Sequence, residues 1–254
     1  MLLVLDIGNT QTSFGVFKNN KLLHHWRAET HIAKTPDEYA AFLFPLVAHA
    51  GLASDAWEGV VICSVVPPVE ETFTYFCRKY LQLEPFRISS QAKLNFSLNV
   101  ESPLEVGADR LANSAYAVEA LKLPAIVVDL GTATTFDVIT ADKVYQGGII
   151  LPGVRMGAES LSKRTSLLPL IDVKFPQKAI GKSTITCIQS GVLFGYCDAI
   201  DGLLDRLQKE VGGSCEIALT GGLAPLFHKK LKVQSQLLPD LTLAGSRTLY
   251  QLNH

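Results

Sequence analysis

One stretch of this sequence occurs twice. Residues 2–17, LLVLDIGNTQTSFGVF, lead an apolar run into an aspartate, a glycine and a hydroxyl-rich turn, and residues 125–140, AIVVDLGTATTFDVIT, do so again. Laying Asp129 on Asp6 places Val127 on Val4, Gly131 on Gly8 and Thr135 on Thr12. In each copy a second alternating strand follows (12–17 and 134–140), then a polar hairpin turn (Lys18-Asn19-Asn20 and Ala141-Asp142-Lys143) and a third strand. The identities are few. The order of elements and the position of the acid coincide, and that makes a duplicated three-strand unit the first constraint on the fold.

Elsewhere the periodicity alternates between helix and strand. Helices are predicted over 36–51, 67–81, 106–121, near 153–166, over 184–211 and 223–232, and near 246–252, and strands over 59–66, 86–89 and CEIALTGG. The pattern predicts two α/β domains side by side, each a mixed sheet flanked by helices, with a cleft between them. The expected domains are 1–118 and 119–254, the last helix being free to pack back on the first.

Bulk properties remove several function classes. With 254 residues, 48% hydrophobic and 19% charged, the chain is long enough for a sizeable core, and its net charge of −1 includes no basic block. That balance argues against nucleic-acid and membrane-surface binding. The five cysteines (Cys63, Cys77, Cys187, Cys197, Cys215) include no C-x-x-C pair, so reduced thiols in a cytoplasmic protein are expected, without a zinc site. Asp6 interrupts the N-terminal apolar stretch, so no signal peptide is expected, and no apolar run approaches membrane-spanning length.

Both acidic turns have a use in binding anions. Glycine lets backbone approach a ligand, and turn N–H groups with hydroxyls cradle anionic oxygens; the carboxylates themselves suit cations lying between protein and phosphate. For Asp6 taken alone, capping of loose backbone N–H groups is the plain structural alternative. Other features point less far. GKST at 181–184 lacks the upstream glycine of a P-loop, since Pro176 stands there. Asp198, Asp201 and Asp205 share a helix face that reads as solvated, and the phenylalanines read as core.

The motifs together resemble the acetate and sugar kinase/Hsc70/actin superfamily, which implies duplicated ribonuclease-H-like, actin-like domains. DIGNTQTS and VDLGTATT are its two phosphate motifs and LTGGLA (219–224) its adenosine motif. More closely, VGADRLANSAYA, GGIILPG and GKSTITCIQSGVLFGY, in that order, resemble type III pantothenate kinases across nearly the whole chain. That resemblance implies ATP-dependent phosphorylation of pantothenate to 4′-phosphopantothenate, the first step of coenzyme A biosynthesis, in a cytoplasmic homodimer.

The resemblance also implies residue roles. Asp109 takes the proton from the pantothenate hydroxyl, and Gly107, Ala108, Asp109 and Arg110 line the substrate site. Asp6, Gly8, Asn9, Thr10 and Thr12 hold ATP phosphates through Mg²⁺, and Asp129 binds K⁺ or NH₄⁺. Gly131 and Thr132 contact ATP, Gly221 and Gly222 its adenosine, and Thr184, at an expected helix N-cap, the substrate. In that family a tyrosine often stands seven residues before the G-A-D-R glycine; here Val100 holds the place, which alters one wall of the pantothenate pocket. A helix N-terminus and Arg110 are expected to keep Asp109 ionised. Alternatives are a regulator similar to the Bvg accessory factor proteins that kept the kinase fold, and another kinase or phosphohydrolase of the superfamily.

Overall fold

The hydrophobic run at the N-terminus forms β1 (Leu2–Ile7), which turns back into β2 (Gln11–Lys18) and then β3 (Lys21–Glu29) in the computed structural model, which describes residues 1–53 and 57–254. Asn19 takes the left-handed conformation that the tight β2–β3 turn requires. β4 (Gly59–Ser64) runs parallel to β1, and short β5 (Phe86–Arg87) completes a sheet of order β3-β2-β1-β4-β5.

Alternation along β1 sends Leu3, Leu5 and Ile7 into one core with Phe14, Tyr39, Leu43, Phe73 and Phe76. The helices on that face are α1 (Pro36–His49), started by a Thr35/Glu38 capping box, and α2 (Pro67–Phe76), with Pro67 in its first turn. A π turn (Cys77–Leu81) continues α2 without a break to left-handed Gln82, so the helical run covers the expected 67–81. After a two-residue strand, β6 (Ser97–Leu98), comes α3 (Ala108–Ala120).

The second copy repeats the sheet. Strands β7 (Ala125–Leu130), β8 (Ala133–Ile139) and β9 (Val144–Pro152) form its meander. α4 (Val154–Arg164) and the long α5 (Thr184–Val211) follow. β10 (Glu216–Thr220), α6 (Ala224–His228) and β11 (Gln236–Leu237) then place two strands parallel to β7. Among the strands of this second unit the order β9-β8-β7-β10-β11 repeats that of the first sheet. This is the duplicated mixed α/β fold expected from the repeat.

The helix expected over 223–232 ends at His228, and beyond it Asp201 of α5 accepts the backbone N–H groups of Lys232 and Val233. Asp205 pairs with Lys209 and Asp198 with Lys232, so all three acids of that helix face have structural partners.

The chain divides into two units, Met1–Ala120 with Asp240–His254, and Leu121–Pro239. The last helix, α7 (Leu241–Asn253), therefore folds with the first unit, as the sequence left open. It meets α3 at a close crossing: a Cβ on Gly245 would lie 1.8 Å from the Ala112 carbonyl oxygen, and the Thr242 hydroxyl donates to buried Asn113 at 2.8 Å. Arg247, almost fully buried, donates to Glu119 at 2.7 Å and to the Asn20 carbonyl at 3.0 Å.

Candidate active site

In the first unit the acidic turn and the G-A-D-R segment gather at the carboxyl ends of β1 and β4. Asp6 pairs in register with Ser13 on β2 and Cys63 on β4, half-buried at the strand end. The turn closes with Gly8 N–H donating to the Gln11 carbonyl at 3.1 Å, which leaves Asn9 and Thr10 exposed. Val65, just beyond β4, donates its N–H to the Ile7 carbonyl at 3.1 Å. Gly107 comes down on Val65, and a Cβ there would lie 3.6 Å from Val65 Cγ1.

The same imagined Cβ would lie only 2.5 Å from Asp109 Oδ1. Gly107 thus leaves the space into which the Asp109 carboxylate folds, a reason for glycine that the sequence alone does not state. Asp109 Oδ1 accepts the Arg110 N–H at 2.8 Å in the first turn of α3. The helix itself starts with Leu111 N–H donating to the Gly107 carbonyl at 3.1 Å. Ala108 is buried beneath it, and Arg110 and Val100 are half-buried.

Burial pushes the Asp109 carboxyl above the usual aspartate range, and the Arg110 N–H and guanidinium pull it down by less. Desolvation outweighs the helix terminus and Arg110 in setting this direction, because the carboxylate is folded into the protein rather than held out at the terminus. A base with a raised pKa is the better proton acceptor.

In the second unit Asp129 ends β7, in register with Thr135 on β8 and Thr220 on β10. Gly131 N–H donates to the Ala133 carbonyl at 3.0 Å, and Gly131 and Thr132 are exposed. The G-G turn of LTGGLA wraps around the same strand end. Gly221 has φ +90°, and a Cβ there would lie 2.4 Å from Asp129 Oδ1 and 2.6 Å from Leu130 C. Leu223 N–H donates to the Leu130 carbonyl at 3.3 Å. Gly222 is exposed and open. The second acidic turn and the LTGGLA glycines thus form one cluster within the unit.

Thr184 stands on the expected helix, one residue past its cap. Ser183 is the N-cap of α5, its hydroxyl accepting the Thr186 N–H at 3.2 Å, and Thr184 is the exposed first helical residue. Ser183 and Thr186 satisfy each other reciprocally, which leaves Thr184 no capping task. GKST is accordingly a helix start and no phosphate loop.

Strand register also corrects the overlay of the two copies. Ile7 pairs with Thr12, but Leu130 pairs with Thr134, so Thr134, and not Thr135, occupies the place of Thr12. The second turn is one residue shorter. Both threonines are fully buried, so the Thr12 hydroxyl is not on the surface of the turn. Its partner is Thr30 Oγ1 at 2.8 Å, a residue that no sequence motif signals.

The donors at these strand ends are carboxylates, carbonyls and hydroxyls, which suit hard cations. Among the described residues no group of three or more His, Cys, Asp or Glu side chains gathers as a metal cage. Buried thiols offer no nucleophile: burial pushes Cys77 up to about 12 and Cys197 up to about 11.

Residues 2–206 match the family model of type III pantothenate kinase. A type III pantothenate kinase of Halalkalibacterium halodurans is 40% identical over 253 residues, covering 100% of both chains. Among solved structures, one described as a Baf family transcriptional activator from Campylobacter jejuni has a TM-score of 0.64 at 19% identity, covering 99% of this chain and 98% of its own. An inorganic polyphosphate/ATP-glucomannokinase from Arthrobacter sp. strain KM has a TM-score of 0.53 at 16% identity, with 100% and 99% covered. At those identities the structural likenesses speak for the fold alone.

Proposed function

The chain belongs to the type III pantothenate kinase family, and from that premise we propose how its residues carry the reaction. The protein is a kinase that phosphorylates pantothenate with ATP in coenzyme A biosynthesis. Asp109 accepts the proton of the pantothenate primary hydroxyl as its oxygen attacks the γ-phosphorus, and ADP leaves. The observation that carries this assignment is the carboxylate folded over Gly107 with its pKa raised by burial. Arg110, with the positive end of the helix it begins, holds the pantothenate carboxylate. Gly107, Ala108 and Val100 line the pocket.

The turn of Asp6, Gly8, Asn9 and Thr10 orients the ATP phosphates, with Asp6 holding Mg²⁺, and Thr12 acts from beneath it. Asp129 holds K⁺ or NH₄⁺, Gly131 and Thr132 contact ATP, and Gly221 and Gly222 let adenosine lie against backbone. When bound, these cations neutralise triphosphate charge, which is what phosphoryl transfer chiefly requires along with positioning. Thr184 remains a substrate contact in this reading, since its exposed side chain is not used for capping.

The homodimer is supported by large apolar side chains left exposed in the second unit: Met156, Leu161, Leu167, Leu170, Ile180 and Ile185. A cytoplasmic location is supported by free cysteines, and no helix among the described residues is long and apolar enough to cross a membrane.

ADP release from ATP and pantothenate, with and without K⁺, tests the whole reading. Asp109→Asn is expected to lower turnover by about a thousand-fold while ATP still binds. Near-normal turnover in that variant removes the base assignment, and full activity without any monovalent cation removes the role of Asp129.

A further inference from the structure

We propose that Thr30 is a positioning residue for the first phosphate turn, fixing its shape through two hydrogen bonds from outside it. The proposal rests on the reading of that turn as phosphate-binding. The turn spans three residues between β1 and β2, and its own backbone closes it with the Gly8-to-Gln11 bond. Its exposed amides meet phosphate oxygens in a fixed arrangement only if the turn cannot shift. Thr30, the first residue past β3, grips it at both ends of the Thr10–Thr12 segment. Its N–H donates to the Thr10 carbonyl at 3.0 Å, and its Oγ1 lies 2.8 Å from Thr12 Oγ1. Thr12 is 0% exposed, and Thr30 is its only side-chain hydrogen-bond partner among the described residues.

The duplication supplies an internal control. In the second unit Thr134 stands where Thr12 does, also 0% exposed, and its hydroxyl has no hydrogen-bond partner. The register sets Pro152 opposite Ala133, as it sets Glu29 opposite Gln11, so the place of Thr30 is taken by Gly153. The three-strand meander therefore folds without a hydroxyl pair. The first copy has one where its turn is a residue longer, which ties the pair to the turn and not to the sheet.

Steady-state kinetics of Thr30→Val and Thr30→Ser, with thermal unfolding alongside, test this. Valine keeps the shape and the N–H but removes the hydroxyl. Thr30→Val is expected to raise KM for ATP about three- to ten-fold, with kcat and KM for pantothenate within about two-fold of wild type, the loss expected for one hydrogen bond. Thr30→Ser is expected to restore KM for ATP. An unchanged KM for ATP in Thr30→Val overturns the proposal. So does a parallel loss of all parameters with the folded fraction, or a failure of serine to restore. If Thr30→Val does not fold, Thr12→Val removes the same bond from the other side and is read the same way. Asp6→Asn, titrated with ATP alone, separates the two levels: intact ATP binding there removes the phosphate reading of the turn. Lost binding there beside a silent Thr30→Val removes Thr30 alone.

Discussion

The two acidic turns stand at the same place in two copies of one sheet, yet they are held differently. The first spans three residues and is tied from the side, by Thr30, to a buried hydroxyl beneath it. The second spans two, and backbone packing holds it: Gly153 lies so close to Thr132 that a Cβ would stand 2.0 Å from its carbonyl oxygen. The chain after each meander differs in the same sense. Four residues separate Thr30 from the Thr35 cap of α1, while Gly153 is itself the N-cap of α4. A short turn is stiff by geometry and tolerates an unbonded threonine below it; a longer one needs a side-chain tie.

Gly153→Ala should break the comparison most visibly. The new methyl meets three backbone atoms of residues 131 and 132 within 2.8 Å, none of which can rotate away. A stability loss of about 3 kcal/mol is expected from overpacking of this kind, read by denaturant unfolding. An unchanged midpoint would mean that the second turn is not held by backbone contact.

A pair of identical substitutions then gives opposite signs. Thr12→Val removes a made bond and is expected to cost about 1 kcal/mol. Thr134→Val removes a buried hydroxyl that has no partner, and is expected to stabilise by up to about 1 kcal/mol. Equal effects at the two sites would erase the distinction drawn here between tied and untied turns.

The smallest change concerns Asp109, an acid that belongs to the first turn's unit. Its pKa is raised on folding, so the folded state binds the proton more tightly than the unfolded state. The stabilisation is full below the ordinary aspartate range and is lost as pH rises through the folded value. Asp109→Asn should therefore be more stable than wild type at neutral pH, the gap closing towards acid. The same group makes kcat/KM rise with pH through a value above the usual aspartate range. A variant equally stable at all pH values would contradict the burial-driven shift.

Much of this was legible from residues alone. Apolar alternation with D-I-G and D-L-G at the strand ends located both turns, and the Thr184–Val211 helix matches its predicted span. An ungapped overlay put Thr135 on Thr12, because nothing in the letters reveals that the second turn is a residue shorter. Capping was misplaced by one residue for a related reason: in GKST two adjacent hydroxyl residues, Ser183 and Thr184, compete, and the reciprocal Ser183–Thr186 bonds decide. The final helix was visible only near 246–252, since its first turn has no cap residue with a side-chain bond, and it extends over Leu241–Asn253.

Patterning along the chain was enough to establish the duplicated sheet, the positions of Asp6 and Asp129, and a helix beginning at the G-A-D-R segment. Those properties are local, set by alternation, glycine and turn chemistry within a few residues. Tertiary structure decided that Thr30 meets Thr12 while Thr134 meets nothing, that α7 folds with the first unit, and that Asp109 is shifted upward. Each of these depends on register or desolvation among segments far apart in sequence, and no local pattern carries either.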